Sequence, residues 1–281
     1  MKPVVIPESY NYIGVFLTFA CNLKCSYCIN RFDTFIPKGH LTGEQWVESL
    51  NRIVSRDDLP VTIQGGEPSL HPDFYYIINH IKKELHIDIL TNLQFDVDTF
   101  IRQVDPARIK RKAPYASIRV SYHPDQMDTK EMVRKVLKLQ DAGFSIGIWG
   151  VLHPLQKETV LKIQEECKKA GIDFRTKEFL GFFGKELYGT YKYPGAFDQE
   201  HLKKCRCRTT ELLIGPDGNI YRCHSDVYSG RKPIGSINAP EYQLQDIYRD
   251  CDYFGLCNPC DIKIKTNRFQ QFGHTSVDIK L

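Results

Sequence analysis

Cys21-Asn22-Leu23-Lys24-Cys25-Ser26-Tyr27-Cys28 carries three thiols separated by gaps of three and two residues. Thiols so spaced can turn onto one iron–sulfur cluster, and because a cubane of four irons takes four thiolates, one iron is left without a protein ligand. An open position on a metal is where a small molecule binds, as in catalytic zinc sites. The competing use of such thiols, a closed zinc knuckle, wants a fourth Cys or His close by, and none follows before His40. Just upstream, Ile13-Gly14-Val15-Phe16-Leu17-Thr18-Phe19 is a nearly continuous apolar run, as expected of a strand buried on both faces. The thiols therefore occupy the loop after a strand.

Beyond them the chain alternates. Thr42 and Gln45 match a capping box, and Trp46, Val47, Leu50, Ile53 and Val54 recur at helical spacing, which predicts a helix over Thr42 to Val54. A strand over Val61 to Gln64, a helix from Pro72 to about Lys83, a strand Ile87 to Thr91 and a weaker helix near Val97 to Val104 follow. Next come a strand Ala116 to Tyr122, a helix Asp128 to Gln140 ended by Gly143, and a strand Phe144 to Val151. A helix Glu158 to Ala170 ended by Gly171 and a strand Ile172 to Phe179 complete the series. Six strands with five helices between them predict a parallel α/β sheet. The basic stretch Arg108-Ile109-Lys110-Arg111-Lys112 reads as a solvated loop.

Gln64-Gly65-Gly66-Glu67-Pro68 directly follows the second strand, where two glycines let a ligand approach the backbone and Glu67 adds a carboxylate. Cys-x3-Cys-x2-Cys after an apolar strand, followed by Gly-Gly-Glu-Pro after the next one, resembles the radical S-adenosylmethionine (SAM) superfamily. That resemblance implies a sheet curled into a partial (βα)6, TIM-like barrel, with working loops at the strand carboxy ends as in other parallel barrels. It also implies a 4Fe-4S cluster on Cys21, Cys25 and Cys28, with SAM's amino group held at Gly65, Gly66, Glu67 and Pro68. By position at strand ends, Thr91, Asn92, Ser121, His123, Gly150 and Val151 are expected to complete the SAM pocket, with Tyr27 flanking the adenine. His123 has a second reading, as a histidine bonded to the turn before Pro124. The implied chemistry is one-electron reduction of the cluster, transfer of that electron to SAM, and release of methionine and a 5'-deoxyadenosyl radical.

After Gly181 the composition shifts to Gly, Tyr and Lys through Gly195, a linker that divides a core over 1–183 from a smaller domain over 184–281. There, Pro216-Asp217-Gly218-Asn219 between two apolar runs predicts a β-hairpin with cysteines before and after it. A helix is expected near Tyr242 to Tyr248. The spacing of Cys205, Gly218 and Cys223 before Cys257-Asn258-Pro259-Cys260 resembles the auxiliary-cluster (SPASM/twitch) appendix of many radical SAM enzymes, in its shorter single-cluster form. The expected ligands of this second 4Fe-4S cluster are Cys205, Cys223, Cys257 and Cys260, with Cys207 as the alternative to Cys205. Structural zinc on four thiolates is the competing reading. Cys251 is left over, either an incidental thiol or a hydrogen-atom donor to a product radical, and Cys167 falls on a helix as a packing thiol.

The chain has 281 residues and a net charge of +4, which permits an anionic substrate without pointing to nucleic acid. No apolar run reaches the roughly 18 residues of a membrane span, and the first seven residues are too short and proline-broken for a signal peptide. The cytoplasm is therefore expected, and ten cysteines there suit metal ligation better than disulfides. The resemblance implies a small-molecule substrate and a reductant such as flavodoxin or ferredoxin. The preferred reaction is dehydrogenation or epimerisation of a small polar, carbohydrate- or aminocyclitol-like molecule. Peptide modification is the first alternative, and a non-catalytic iron–sulfur or zinc scaffold the second.

Overall fold

The computed structural model describes residues 1–30, 39–198, 200–267 and 270–281. Six strands run parallel in sequence order: β1 (Tyr12–Thr18), β2 (Val61–Gly65), β3 (Ile87–Thr91), β4 (Ile118–Tyr122), β5 (Ile146–Leu152) and β6 (Phe174–Glu178). The helices between them are α1 (Gly43–Leu50), α2 (Phe74–His80), α3 (Val97–Gln103), a short α4 (Pro106–Ile109), α5 (Thr129–Asp141) and α6 (Lys157–Lys169). Thr42 caps α1 through the capping box with Gln45. The helix stops at Leu50, and Ile53–Val54, expected to continue it, instead pair in parallel with Val4–Val5.

Alternation along the strands sorts the side chains into two layers. Ile13, Val15, Val61, Ile63, Ile87, Ile89, Ile118, Val120, Ile146, Ile148 and Phe174 belong to one aliphatic core beneath the helices. The opposite face carries Tyr12, Gln64, Asp88, Arg119, Ser121, Trp149, Arg175 and Lys177. That face is polar because the sheet curls around a hollow. Tyr27, on the loop after β1, hydrogen-bonds His123 at the end of β4 (2.8 Å) and stacks on His153 just past β5 (4.9 Å between ring centres). In a flat sheet the first and fourth strands would lie about 14 Å apart.

Two basic residues of the expected solvated loop are built into the barrel. Arg111 makes a buried bidentate pair with Asp88 (2.9 Å each), and Arg108 donates to the carbonyls of Ile78, Ile81, Lys82 and Leu85, closing the end of α2. A buried guanidinium is tolerable only with such partners.

After β6, a small hairpin of Gly181–Phe183 and Glu186–Tyr188 leads to β7 (Lys203–Thr209). The expected hairpin forms as β8 (Glu211–Ile214) and β9 (Asn219–Tyr221), with Gly218 at positive φ in its turn. It does not stand apart, because β8 lies parallel beside β1, Glu211 opposite Tyr12. With β9 and β10 (Gly235–Ser236) it extends the barrel to a nine-stranded sheet. A separate three-stranded sheet places β7 between β11 (Arg249–Phe254) and β12 (Val277–Lys280). Short helices α7 (His224–Tyr228) and α8 (Pro259–Ile262) pack together, Asp261 accepting from the His224 and Ser225 N–H groups. The helix expected near Tyr242 to Tyr248 is absent. Tyr242 packs its ring in the space a side chain at position 235 would need, 2.1 Å from an ideal Cβ on Gly235. Among the described residues no helix is long and apolar enough to cross a membrane.

Candidate active site

The cysteine loop is fixed at both ends. Past the strands, Gly66 N–H donates to Thr18 O (2.9 Å) and Glu67 N–H to Ala20 O (2.8 Å), so the exits of β1 and β2 are zipped together. The glycines serve this contact. A Cβ on Gly65 would stand 2.1 Å from Thr18 O, and one on Gly66 2.2 Å from Ala20 O, so both positions must be glycine for the two strand exits to meet. Glu67 is fully buried, and its carboxylate accepts from Ser69 N–H and Oγ, Thr91 Oγ1 and the Asn92 N–H. Burial pushes this carboxyl up while those four donors pull it back. Asn92 continues the network to the cysteines, donating to Asn22 Oδ1 (2.7 Å) and lying 3.9 Å from Cys21 Sγ.

From the far side of the mouth, the Gln126 side-chain amide forms a two-point clamp on Lys24, accepting its N–H (2.9 Å) and donating to its carbonyl (3.0 Å). Nothing in the spacing of the motifs signals Gln126. Gln126→Ala should remove about 1–3 kcal/mol of local stabilisation, seen as faster amide exchange at Lys24 with little change in global unfolding.

Cys21, Cys25 and Cys28 are free thiols at or near the surface. Burial, then the neighbouring Cys28, Asp125 and Cys21, pushes the Cys25 thiol up to about 12, so the three sulfurs are near enough to feel one another. Among the described residues no group of three or more metal-binding atoms within 4.8 Å of one another includes any of them. A single-ion site is thus not assembled there, whereas three thiols spread along one loop suit a wider cluster with a vacant corner.

Tyr27 lies between His123 and His153, and burial holds both imidazoles below their ordinary value. His123 thus bonds Tyr27 rather than serving only its own turn. Sequence reasoning missed His153, two residues beyond Val151, which Phe179 and Phe183 box in edge-on. Ser121 and Val151 fall on the inner face. Gly150 does not: a Cβ there would meet Val160 and Phe174, so this glycine serves helix packing and leaves the pocket. Thr91 is spent on Glu67, and Pro68 opens the buried turn behind it.

The second thiol site forms where β7 and β11 pair, Cys205 opposite Cys251. Cys205, Cys207 and Cys251 bring their sulfurs within 4.8 Å of one another, and Cys207, Cys223, Cys251 and Cys257 line one cavity with Arg222. Cys251, expected to be the spare thiol, is inside this group. A hydrogen bond from Cys207 lowers it to about 6. Cys260 does not line the cavity; the charges acting on it are Lys265, Asp261, Glu211 and Lys177, on the hollow's side of α8. Asn258, which caps α8 between Cys257 and Cys260, donates to Ile29 O (3.1 Å), directly after Cys28, and so joins the two sulfur-bearing segments. The donor set fits an iron–sulfur group.

An open parallel barrel with three thiols at the mouth of its first strand defines the class. Residues 15–111 match the family model described as the radical SAM superfamily, and the chain carries a radical SAM domain. The GTP 3',8-cyclase of Sulfurovum sp. (strain NBC37-1) is 23% identical over 75% of this chain and 66% of that protein. The sporulation killing factor maturation protein SkfB of Bacillus subtilis is 24% identical over 55% of this chain and 39% of that protein. Among solved structures, Streptococcus suis SuiB bound to its precursor peptide SuiA superposes with a TM-score of 0.55 at 15% identity, covering 90% of this chain and 71% of that one. The chain spans about half to two thirds of the length of the first curated relatives it matches, 66%, 56% and 46%. The radical SAM domain implies a 4Fe-4S cluster and SAM.

Proposed function

We propose that this radical SAM enzyme abstracts hydrogen from a polar substrate held in the hollow between its two thiol sites, and that the reaction is a dehydrogenation. The observation that carries this reading is the Asn258–Ile29 bond, which sets the second thiol group against the first. Cys21, Cys25 and Cys28 would hold the SAM-binding cluster. Cys223, Cys251 and Cys257 with Cys207, and Cys205 beside it, would hold the auxiliary one. When bound, these groups supply the 5'-deoxyadenosyl radical and an electron acceptor. The chain's own residues do the rest. Glu67 and Asn92 fix the loop, while Tyr27, His123 and His153 wall the mouth and exclude water. Loss of a hydrogen atom beside a hydroxyl, then of a proton and an electron, leaves a carbonyl. Epimerisation with Cys251 as donor is less well supported, since that thiol sits among the proposed ligands.

Residues 1–183 with the β8–β9 hairpin form the catalytic core in this reading, and the rest of 184–281 the auxiliary, twitch-like part. Peptide modification is the second reading. The likeness in fold to SuiB, solved with a peptide, favours it, as does the similarity to SkfB.

Iron and sulfide counts on a background lacking Cys21, Cys25 and Cys28 test the second site. About four irons with matching sulfide are expected, with loss on Cys223→Ala or Cys257→Ala and retention on Cys260→Ala. Zinc without sulfide would reject the auxiliary cluster. Anaerobic turnover with candidate substrates deuterated at carbon tests the reaction, since label entering 5'-deoxyadenosine identifies the attacked position.

A further inference from the structure

The hollow is ringed by cations, and among the described residues all of these but one are paired. Arg119 meets Asp88 (3.2 Å), Arg175 meets Asp173 (3.0 Å), Lys263 meets Glu178 (3.0 Å) and Lys265 meets Glu211 (3.0 Å). Lys177, opposite Val151 in the β5–β6 register, has no carboxylate or hydrogen-bond partner among the described residues. The titratable groups acting on it are Arg119, Cys260, Lys263 and Lys265, and burial with three of these lowers its ammonium to about 8. Its surface is nonetheless exposed. Lys177 thus lies on the inner face of the sheet with its side chain reachable from solvent.

Two further donors on the same inner face lack an acceptor: Gln64 Nε2 and Arg119 Nε are buried without a hydrogen-bond partner. Buried donors left unpaired are costly, and an ammonium among cations is costlier still unless an anion joins it. The position separates this feature from the cysteine loop. Lys177 stands on the last strand of the six, facing Cys260 and Lys265, whereas Gly65 to Pro68 lie beyond the second.

We infer that Lys177 anchors an anionic group of the substrate, a carboxylate or a phosphate, within the barrel. A cationic aminocyclitol would meet like charge there and is disfavoured. This rests on the reading of the hollow as the substrate chamber of a SAM-cleaving enzyme.

The test is acylation of the full-length protein by acetic anhydride, with Lys177 and the exposed Lys185 followed by peptide mass spectrometry. Inorganic phosphate, glutarate, and an acetylated, amidated peptide containing one glutamate are the probes, with SAM alone as a separate arm. At ten times its dissociation constant a bound anion should slow labelling of Lys177 by about 10-fold and leave Lys185 unchanged. Phosphate against glutarate distinguishes the two anions, and the peptide distinguishes a small acid from an acidic side chain. Calorimetry should show the isotherm of the protecting anion vanish in Lys177→Gln and weaken in Lys177→Arg. Protection by SAM alone, equal slowing at both lysines, or no protection by any anion would overturn the inference. Labelling of wild type needs neither SAM cleavage nor a folded variant. A protein that protects Lys177 but yields no 5'-deoxyadenosine loses its enzymatic reading and keeps the anion site. One that cleaves SAM without protecting Lys177 loses only this inference.

Discussion

Replacing Cys21, Cys25 and Cys28 by alanine will reduce anaerobic release of methionine and 5'-deoxyadenosine by about 10³-fold or more, to the level of reductant without protein. The size follows from the geometry. All three thiols stand on one loop and their sulfurs influence one another's protonation, while the compact thiol group of Cys205, Cys207 and Cys251 lies on the separate β7–β11 pair. The fold should survive, because these side chains lie at or near the surface and the loop is held through its main chain, Thr18 and Ala20 carbonyls accepting from Gly66 and Glu67 and the Lys24 N–H donating to Gln126. Chromatography of products with a circular dichroism melt checks both statements. Residual cleavage above a tenth of wild type would refute the assignment of the loop as the SAM-binding centre.

Gly66→Ala should be severely destabilising, costing about 3–4 kcal/mol. Its Cβ would lie 2.2 Å from Ala20 O, 2.5 Å from Phe19 O and 2.6 Å from Ala20 C, all main-chain atoms that cannot swing away. Relief requires parting the β1 and β2 exits, which breaks the Gly66–Thr18 and Glu67–Ala20 bonds and unseats the cysteine loop with them. Urea unfolding and equilibrium SAM binding should fail together. Gly143→Ala tests the contrast: no atom lies nearer than 3.8 Å to its Cβ, so only the left-handed backbone (φ 89°) resists it, for about 1 kcal/mol. Equal losses in the two variants would remove close chain approach as the reason for glycine after β2.

The barrel was legible because its evidence is local. Periodicity, the Thr42–Gln45 box and the glycines at 143 and 171 each act within a few residues, and the elements follow them. What escaped depends on which strands become neighbours. Helical spacing runs through Ile53 and Val54, but Val4 and Val5 offer a strand partner that no window contains. Arg108 and Arg111 look solvated because charge runs usually are, and only the fold brings Asp88 and four carbonyls to them. Cys251 enters the thiol group and Cys260 stays off its cavity for the same reason. Cysteine spacing favours Cys260 and leaves Cys251 over, but the pairing of β7 with β11 sets Cys251 opposite Cys205. Gln126 and His153 carry a weaker signal, as polar residues within a few positions of a strand end, too common to single them out.

The seat of β8 beside β1 bears on how the chain comes off the ribosome. Tyr12 to Val15 acquire their second hydrogen-bonded neighbour only when Glu211 to Ile214 have been made, about two hundred residues later. Until then an apolar strand in the first half of the nascent chain offers a bare edge, the feature that invites association with other chains. Rapid synthesis without chaperones should therefore favour inclusion bodies, and slower expression at low temperature should increase the recoverable fraction.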